Sequence, residues 1–524
     1  MDSNKIKVII VLIIALFGAV YLGVAAATAQ FEAILWVVGG VGLTICLALG
    51  KKIWLLIPFV SAIGLILPLP GSFPTIFITQ AVVLGFCTLL FATRRLPLSF
   101  RFTELEFWCL LFLFSVFQAY ARNPVGLNIF GSANIGGKPY AVLGMLVATA
   151  FLLTSLKIEP NDLKWWVRLT MIGSWANFFL GLIAIKVPSI GRFLGATFAT
   201  DAADQGPSGR EALDEGAAGR VSYIRTISLN LANWISSKIS PLKACFLPLW
   251  APLVLFTVVG AAYSGYRSQL AAVGLTYFVG VFYRGGISQL LLSVLLGVAG
   301  IVLLAFVNLI TPLPPNVQRA LTFIPGTWEQ RYKDDAKGST DWRTDLWMEA
   351  LTSDKYIRNK FLGDGLGMTS QQHQQAISLR DAHGLGIGGF DQHRESILIS
   401  GDYHSGPVQT IRACGYVGLA ILLVGMLRVA VHAHRQIERC RNTEWFYTAL
   451  FIGNVYLWLP FGWVFIFGSF SGGADALLMG AALVRMLEKT LPLPEYVVRR
   501  RQPYILNHQG QRQRLAEADS TARG

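Results

Sequence analysis

Charge is what this chain has least of: 14% of its 524 residues are Asp, Glu, Lys or Arg, against 53% apolar. A soluble protein needs a polar coat, so that class is excluded and a bilayer becomes the main solvent. Cysteine is sparse as well. Cys46, Cys87, Cys109, Cys245 and Cys414 fall within or beside apolar runs, and Cys440 lies in a basic connector. The two long polar stretches, 188–220 and 311–407, hold none, which excludes a disulfide framework or a thiolate metal site there. Internal repeats and coiled-coil heptads are also missing. The net charge of +14 gathers beside the apolar runs and in the tail, at Arg499, Arg500, Arg501, Arg512 and Arg514. That is the pattern of a topology anchor near anionic lipid, and no nucleic-acid partner is expected.

What the chain does have is a series of apolar runs, most of them about long enough at about 1.5 Å per residue to cross roughly 30 Å of hydrocarbon. They lie at 8–27, 32–49, 53–69, 74–92, 105–120, 139–156, 165–186, 244–262, 268–283, 286–309, 408–430, 444–463 and 469–487. The first follows Lys5 and Lys7 and is too long for a cleaved signal, so it reads as a retained helix. Short cytoplasmic loops are rich in Lys and Arg, and Lys51-Lys52, Arg94-Arg95 and Lys157 with Lys164 obey that rule through the seventh run. Parity then fails unless 221–239 also crosses, although it carries Arg225, Asn230 and Asn233; the alternative is a re-entrant or surface helix there and a misplaced crossing elsewhere. An arginine at mid-membrane costs about 2.5–3.5 kcal/mol, so such a helix is expected inside the bundle or beside a wet cavity.

The expected fold is all-α: a polytopic membrane bundle of about fourteen helices, with both termini cytoplasmic and a mostly helical outer loop. Residues 1–310 form the N-terminal bundle, including an Ala-, Gly- and acid-rich outer loop 188–220 expected to be mobile or to pack only locally. Residues 311–407 form the large extracytoplasmic loop domain, 408–487 the C-terminal spans, and 488–524 a basic cytoplasmic tail.

A long structured loop on a membrane protein is a natural place for function. Within 311–407, the stretch from Ser339 to Leu351 reads as a capped helix with Leu346, Trp347 and Leu351 at helical spacing and Arg343 in its first turn. Arg343 there either binds an anion with the free N–H groups of the helix start, or pairs with Asp341 or Asp345. Gly363, Gly365 and Gly367 read as a tight backbone turn and lack the Lys-Ser/Thr of a phosphate loop. His373, His383, His393 and His404 raise the question of a metal, but their spacing is wrong for one and none is expected. His404 stands at the foot of the next span beside Asp402, where a carboxylate can hold its tautomer while the ring takes a proton from a hydroxyl. Arg267 opens a span on the same side, as an interfacial anchor or as a partner of the other two.

Four segments together carry a resemblance: Ser264-Gly-Tyr-Arg267-Ser268, Trp342-Arg343 with Trp347 and Leu351, Leu362-Gly363-Asp-Gly365-Leu-Gly367, and His404-Ser405 followed by Gly415-Tyr-Val-Gly418. In order and spacing they are similar to the O-antigen ligase and O-antigen polymerase superfamily of bacterial envelope glycosyltransferases, over about residues 244–432. The resemblance implies a C-type glycosyltransferase-like bundle in the inner membrane. Such an enzyme moves a glycan from an undecaprenyl diphosphate carrier to lipid A core or to a growing glycan, with inversion and without a metal or other cofactor. Arg267 and Arg343 would bind the diphosphate, and His404 would act as base or position the acceptor. Asp402, Ser405, Trp347, Gly363 and Gly365 are secondary candidates. Ser405 departs from the family's usual Asn. Ligation in lipopolysaccharide biosynthesis and repeat-unit polymerisation compete closely, and a polysaccharide transporter or flippase is the alternative of another class.

Overall fold

The computed structural model describes residues 40, 42, 44–64, 74–126, 136–186, 221, 223–324, 326–384, 390–491, 504–506 and 512–514. The apolar run 8–27, most of 32–49, the loop 188–220 and Arg499 to Arg501 lie outside them. The chain divides into two compact units, residues 1–54 with 85–96 and residues 55–84 with 97–524. Every candidate site residue belongs to the second.

Most of the described residues are helical, and the strands among them are a short antiparallel pair in the tail, Tyr504–Leu506 with Arg512–Arg514. In chain order the helices used below are α1 (Leu56–Ile63), α2 (Thr75–Ala92), α3 (Glu104–Arg122), α4 (Lys138–Ser155), α5 (Pro160–Lys186), α6 (Tyr223–Lys238), α7 (Ala251–Tyr263) and α8 (Arg267–Ile310). They continue as α9 (Pro315–Leu321), α10 (Gln330–Thr352), α11 (Ser370–Gly384), α12 (Phe390–Ser400), α13 (Gly406–Cys440), α14 (Phe446–Phe465) and α15 (Phe470–Thr490). Among the described residues, nine helices are long and apolar enough to cross a membrane. The chain is therefore a membrane protein by length and composition.

Local chemistry sets the helix starts. Thr103 and Glu106 form a reciprocal capping box at the start of α3, the Thr103 N–H donating to Glu106 at 2.9 Å. Pro139 and Pro407 occupy first turns, where a missing N–H does no harm. Ser469 caps α15 by accepting from the Gly472 N–H at 3.1 Å.

The segment 221–239, expected from loop charge to cross, is the helix α6, and much of it is packed among neighbouring helices. Ile227, Leu231 and Ile235 lie one turn apart and are buried, facing Trp175 and Phe178 of α5 and Trp250 and Leu253 around α7. The Asn233 amide donates to the Phe451 carbonyl at 2.7 Å, and Asn230 donates to Ser174 at 2.8 Å. Arg225 is not at mid-membrane: it occupies the first turn, its guanidinium 5.4 Å from the Tyr266 ring centre.

The two apolar runs expected at 268–283 and 286–309 are the two arms of α8, interrupted at Gly286 (φ 73°, ψ −172°). The arms fold back on each other, because both ends of α8 reach α9. Leu270 packs with Leu313, Val317, Leu321 and Trp328, and Asn308 near the other end donates to the Thr327 carbonyl at 2.6 Å.

Ion pairs and ring contacts sort the ends of the second unit. At one end Glu104 binds Arg428 and His432, Arg485 binds Glu106, Lys164 binds Glu444, Lys489 donates to the Thr154 carbonyl, and Tyr283 meets His434. From that basic end α13 runs back to Gly406 and the first arm of α8 runs back to Arg267. Arg267 and His404 therefore stand at the same, opposite end of the bundle.

Candidate functional site

The segment 311–407 is mostly helical and shares its core with a span. Leu346 and Ala350 of α10, Ile357, Leu398 and Tyr403 pack with Val408 and Ile411 of α13. Four independent holds fix the strap between α12 and α13. Tyr403 is fully buried, and its phenol is pushed above its ordinary pKa by that burial. Trp347 donates its indole N–H to the Tyr403 carbonyl at 2.6 Å. The Ser405 hydroxyl caps α13, accepting from the Val408 N–H at 3.5 Å. Gln409 donates to Asp402 at 2.8 Å and accepts from the Phe470 N–H at 2.8 Å, tying the strap to α15.

His404 is the residue this strap displays. It has φ 51°, a left-handed backbone conformation that non-glycine residues seldom hold without compensation elsewhere. Its side chain is 26% exposed, and its ring lies 6.2 Å from that of Trp342 on α10. The nearest Asp402 oxygen is 4.0 Å from Nδ1, beyond hydrogen-bond reach, so Asp402 does not hold the tautomer as expected; it is bound by Gln409 instead.

Arg343 requires a second correction. Its helix begins at Gln330, not near Ser339, so Arg343 lies in the interior of α10, where the backbone N–H groups are already bonded. The anion pocket built on a helix start therefore does not exist. The residue nevertheless shares a helix face with Leu346, Trp347 and Ala350, at the i, i+3, i+4 and i+7 positions that pack against the strap. The half-buried Arg343 is thus carried to the neighbourhood of His404 by the same apolar stripe the sequence displayed.

Arg267 opens α8 on another wall of the same end. Gln269 donates to the Arg225 carbonyl at 2.8 Å and the Val221 N–H donates to the Ser264 carbonyl at 3.1 Å, so the starts of α6 and α8 are fastened together. That fastening places two arginines, 225 and 267, at one rim.

Gly363 and Gly365 act through backbone. α13 breaks at Cys414 and Gly415 (φ 71°), and the glycine turn fills the break. Asp364 N–H and Gly365 N–H donate to the Arg412 and Ala413 carbonyls at 2.6 and 3.1 Å, while Tyr416 N–H donates to the Lys360 carbonyl at 2.9 Å. A Cβ on Gly363 would stand 2.5 Å from the Cys414 backbone. Gln118 and Arg122 of α3 donate to the outward carbonyls of Leu362 and Gly363, and Tyr140 accepts from the Leu366 N–H. The spacing of residues showed the glycines but not Gln118, Arg122, Tyr140 or Gln409, which are ordinary polar residues at helix ends.

Among the described residues no group of three His, Cys, Asp or Glu side chains is arranged to hold a metal ion. The side chain of His383 lies outside those described. No protein-family model matches the chain, and no curated protein matches it.

Proposed function

We propose that this chain is a glycosyltransferase of the bacterial inner membrane, transferring a glycan from an undecaprenyl diphosphate carrier to lipid A core at the outer face. The observation that carries this reading is a strained, partly exposed histidine on a rigid strap, beside the arginine helix α10 and at the same bundle end as Arg267. In the reaction an acceptor hydroxyl oxygen bonds to the anomeric carbon while the carbon–oxygen bond to the diphosphate breaks. His404 takes the hydroxyl proton, and Arg267 and Arg343 stabilise the charge that grows on the departing lipid diphosphate. The basic bundle end, with Arg428, Arg435, Arg439 and Lys489, then faces the cytoplasm.

The test is the glycan inventory of a deletion strain. Loss of a ligase leaves long glycan on the undecaprenyl carrier and surface lipid without it, the expected result. Surface lipid capped with a single repeat would instead make the protein a polymerase acting at the same site. An unchanged inventory of carrier-linked and surface-linked glycan would overturn both.

A further inference from the structure

One acidic side chain stands exposed inside a membrane helix. Asp475 lies in the second turn of α15, about 7.5 Å along the axis from Phe470, and is exposed. The helix itself is among the most enclosed in the bundle: 83% of its most apolar stretch is buried, against 0% for that of α8. One stripe of α15 packs on α13, with Gly473 against Leu422, Leu477 against Gly425 and Gly480 against Val429. Phe470 meets Phe112 of α3, and Tyr456 of α14 packs on Gly480. At about 100° per residue, position 475 falls on the side turned away from the α13 stripe. An exposed position on so enclosed a helix is where a recess in the bundle would open. A carboxylate facing lipid would instead carry a penalty of several kcal/mol, and ionisable groups in spans characteristically face a cavity.

Asp475 stands near the His404 end of its helix. α15 begins there, Ser471 and Gly472 above Asp475 are exposed, and the Phe470 N–H is the group that Gln409 ties to the His404 strap. We infer that Asp475 lines a water-accessible recess reached from the mouth that displays His404, and that it binds hydroxyl groups of the acceptor glycan. This rests on the transferase reading above. A carboxylate repels a diphosphate, so the lipid carrier belongs with Arg267 and Arg343, and the hydroxyl-rich partner belongs with Asp475.

Two measurements test it. In native membranes a water-soluble carbodiimide with glycine ethyl ester should modify Asp475, read by peptide mass; absence of modification under conditions that label exposed Asp354 overturns the recess. In a reconstituted transfer assay with carrier-linked glycan as donor, Asp475→Asn should raise the acceptor KM at least tenfold and leave the donor KM within twofold, with Asp475→Glu recovering part of the loss. Unchanged kinetics of Asp475→Asn beside an active wild type overturn the acceptor site alone. A folded wild type that transfers nothing overturns the transferase reading and the acceptor site with it, and modification at Asp475 would still establish the recess.

Discussion

His404 combines a conformational penalty with exposure, and the two effects can be separated. A non-glycine residue in the left-handed region costs of order 1 kcal/mol, which His404→Gly removes, while the extra freedom of glycine in the unfolded chain takes back about 0.5–1 kcal/mol. His404→Gly should therefore leave the thermal midpoint unchanged or slightly raised while abolishing transfer, and His404→Ala should abolish transfer with normal accumulation. A large loss of stability in the glycine variant would mean that the ring serves packing. Trp347→Phe keeps the ring in its core but deletes the hydrogen bond to the Tyr403 carbonyl. It should lower stability by about 1 kcal/mol and slow transfer without removing it, measured by denaturation and by rate in the same preparation. Trp347 and the apolar stripe through Leu346 were legible in the sequence because they stand in a spaced pattern, and His404 stood out by its place at the foot of a span. The place of Arg343 along its helix was not, because residues 330–338 are polar and carry no apolar periodicity from which a helix start can be read.

The glycine turn and the broken helix α13 form one joint. The two interlock: a Cβ on Gly363 would meet the Cys414 backbone, and one on Gly415 would meet the Phe361 carbonyl. Gly363→Ala adds left-handed strain to a collision between backbones, together about 2–4 kcal/mol. It should sharply reduce the amount of folded protein in the membrane. Gly300→Ala in the second arm of α8, where nothing lies within 4 Å, should change stability by less than about 0.5 kcal/mol. Equal tolerance at both positions would sink the joint. Sequence reasoning identified the turn from its glycines and could not identify its socket, since a break in a long apolar run looks like any other glycine in a span. The polar helix α6 shows the reverse case. Hydropathy rejected it and loop charge required it, and its asparagine amides donate to Phe451 and Ser174 on neighbouring helices. Those groups hold helices together, which weakens the reading of α6 as the wall of a transport path.

For the whole molecule the decisive quantity is sidedness, because the proposed transfer requires the site to stand at the outer face. The two bundle ends differ in chemistry. One gathers Arg428, His434, Arg435, Arg439, Arg441 and Lys489 around Glu104, Glu106 and Glu488; the other carries His404, Asp402, Arg267 and the helices of 311–407. Cationic loops resist translocation and favour the anionic cytoplasmic leaflet, so the proposed orientation puts the basic end in the cytoplasm. Met348 on α10 is 57% exposed, and Arg435 is exposed at the basic end. Met348→Cys should react with a membrane-impermeant maleimide in intact cells, while Arg435→Cys should react only after permeabilisation. The native exposed Cys245 follows α6 from the basic end and should behave like the second. If Arg435→Cys instead reacted in intact cells and Met348→Cys did not, His404 would face the cytoplasm, and transfer from a carrier at the outer face would be physically impossible.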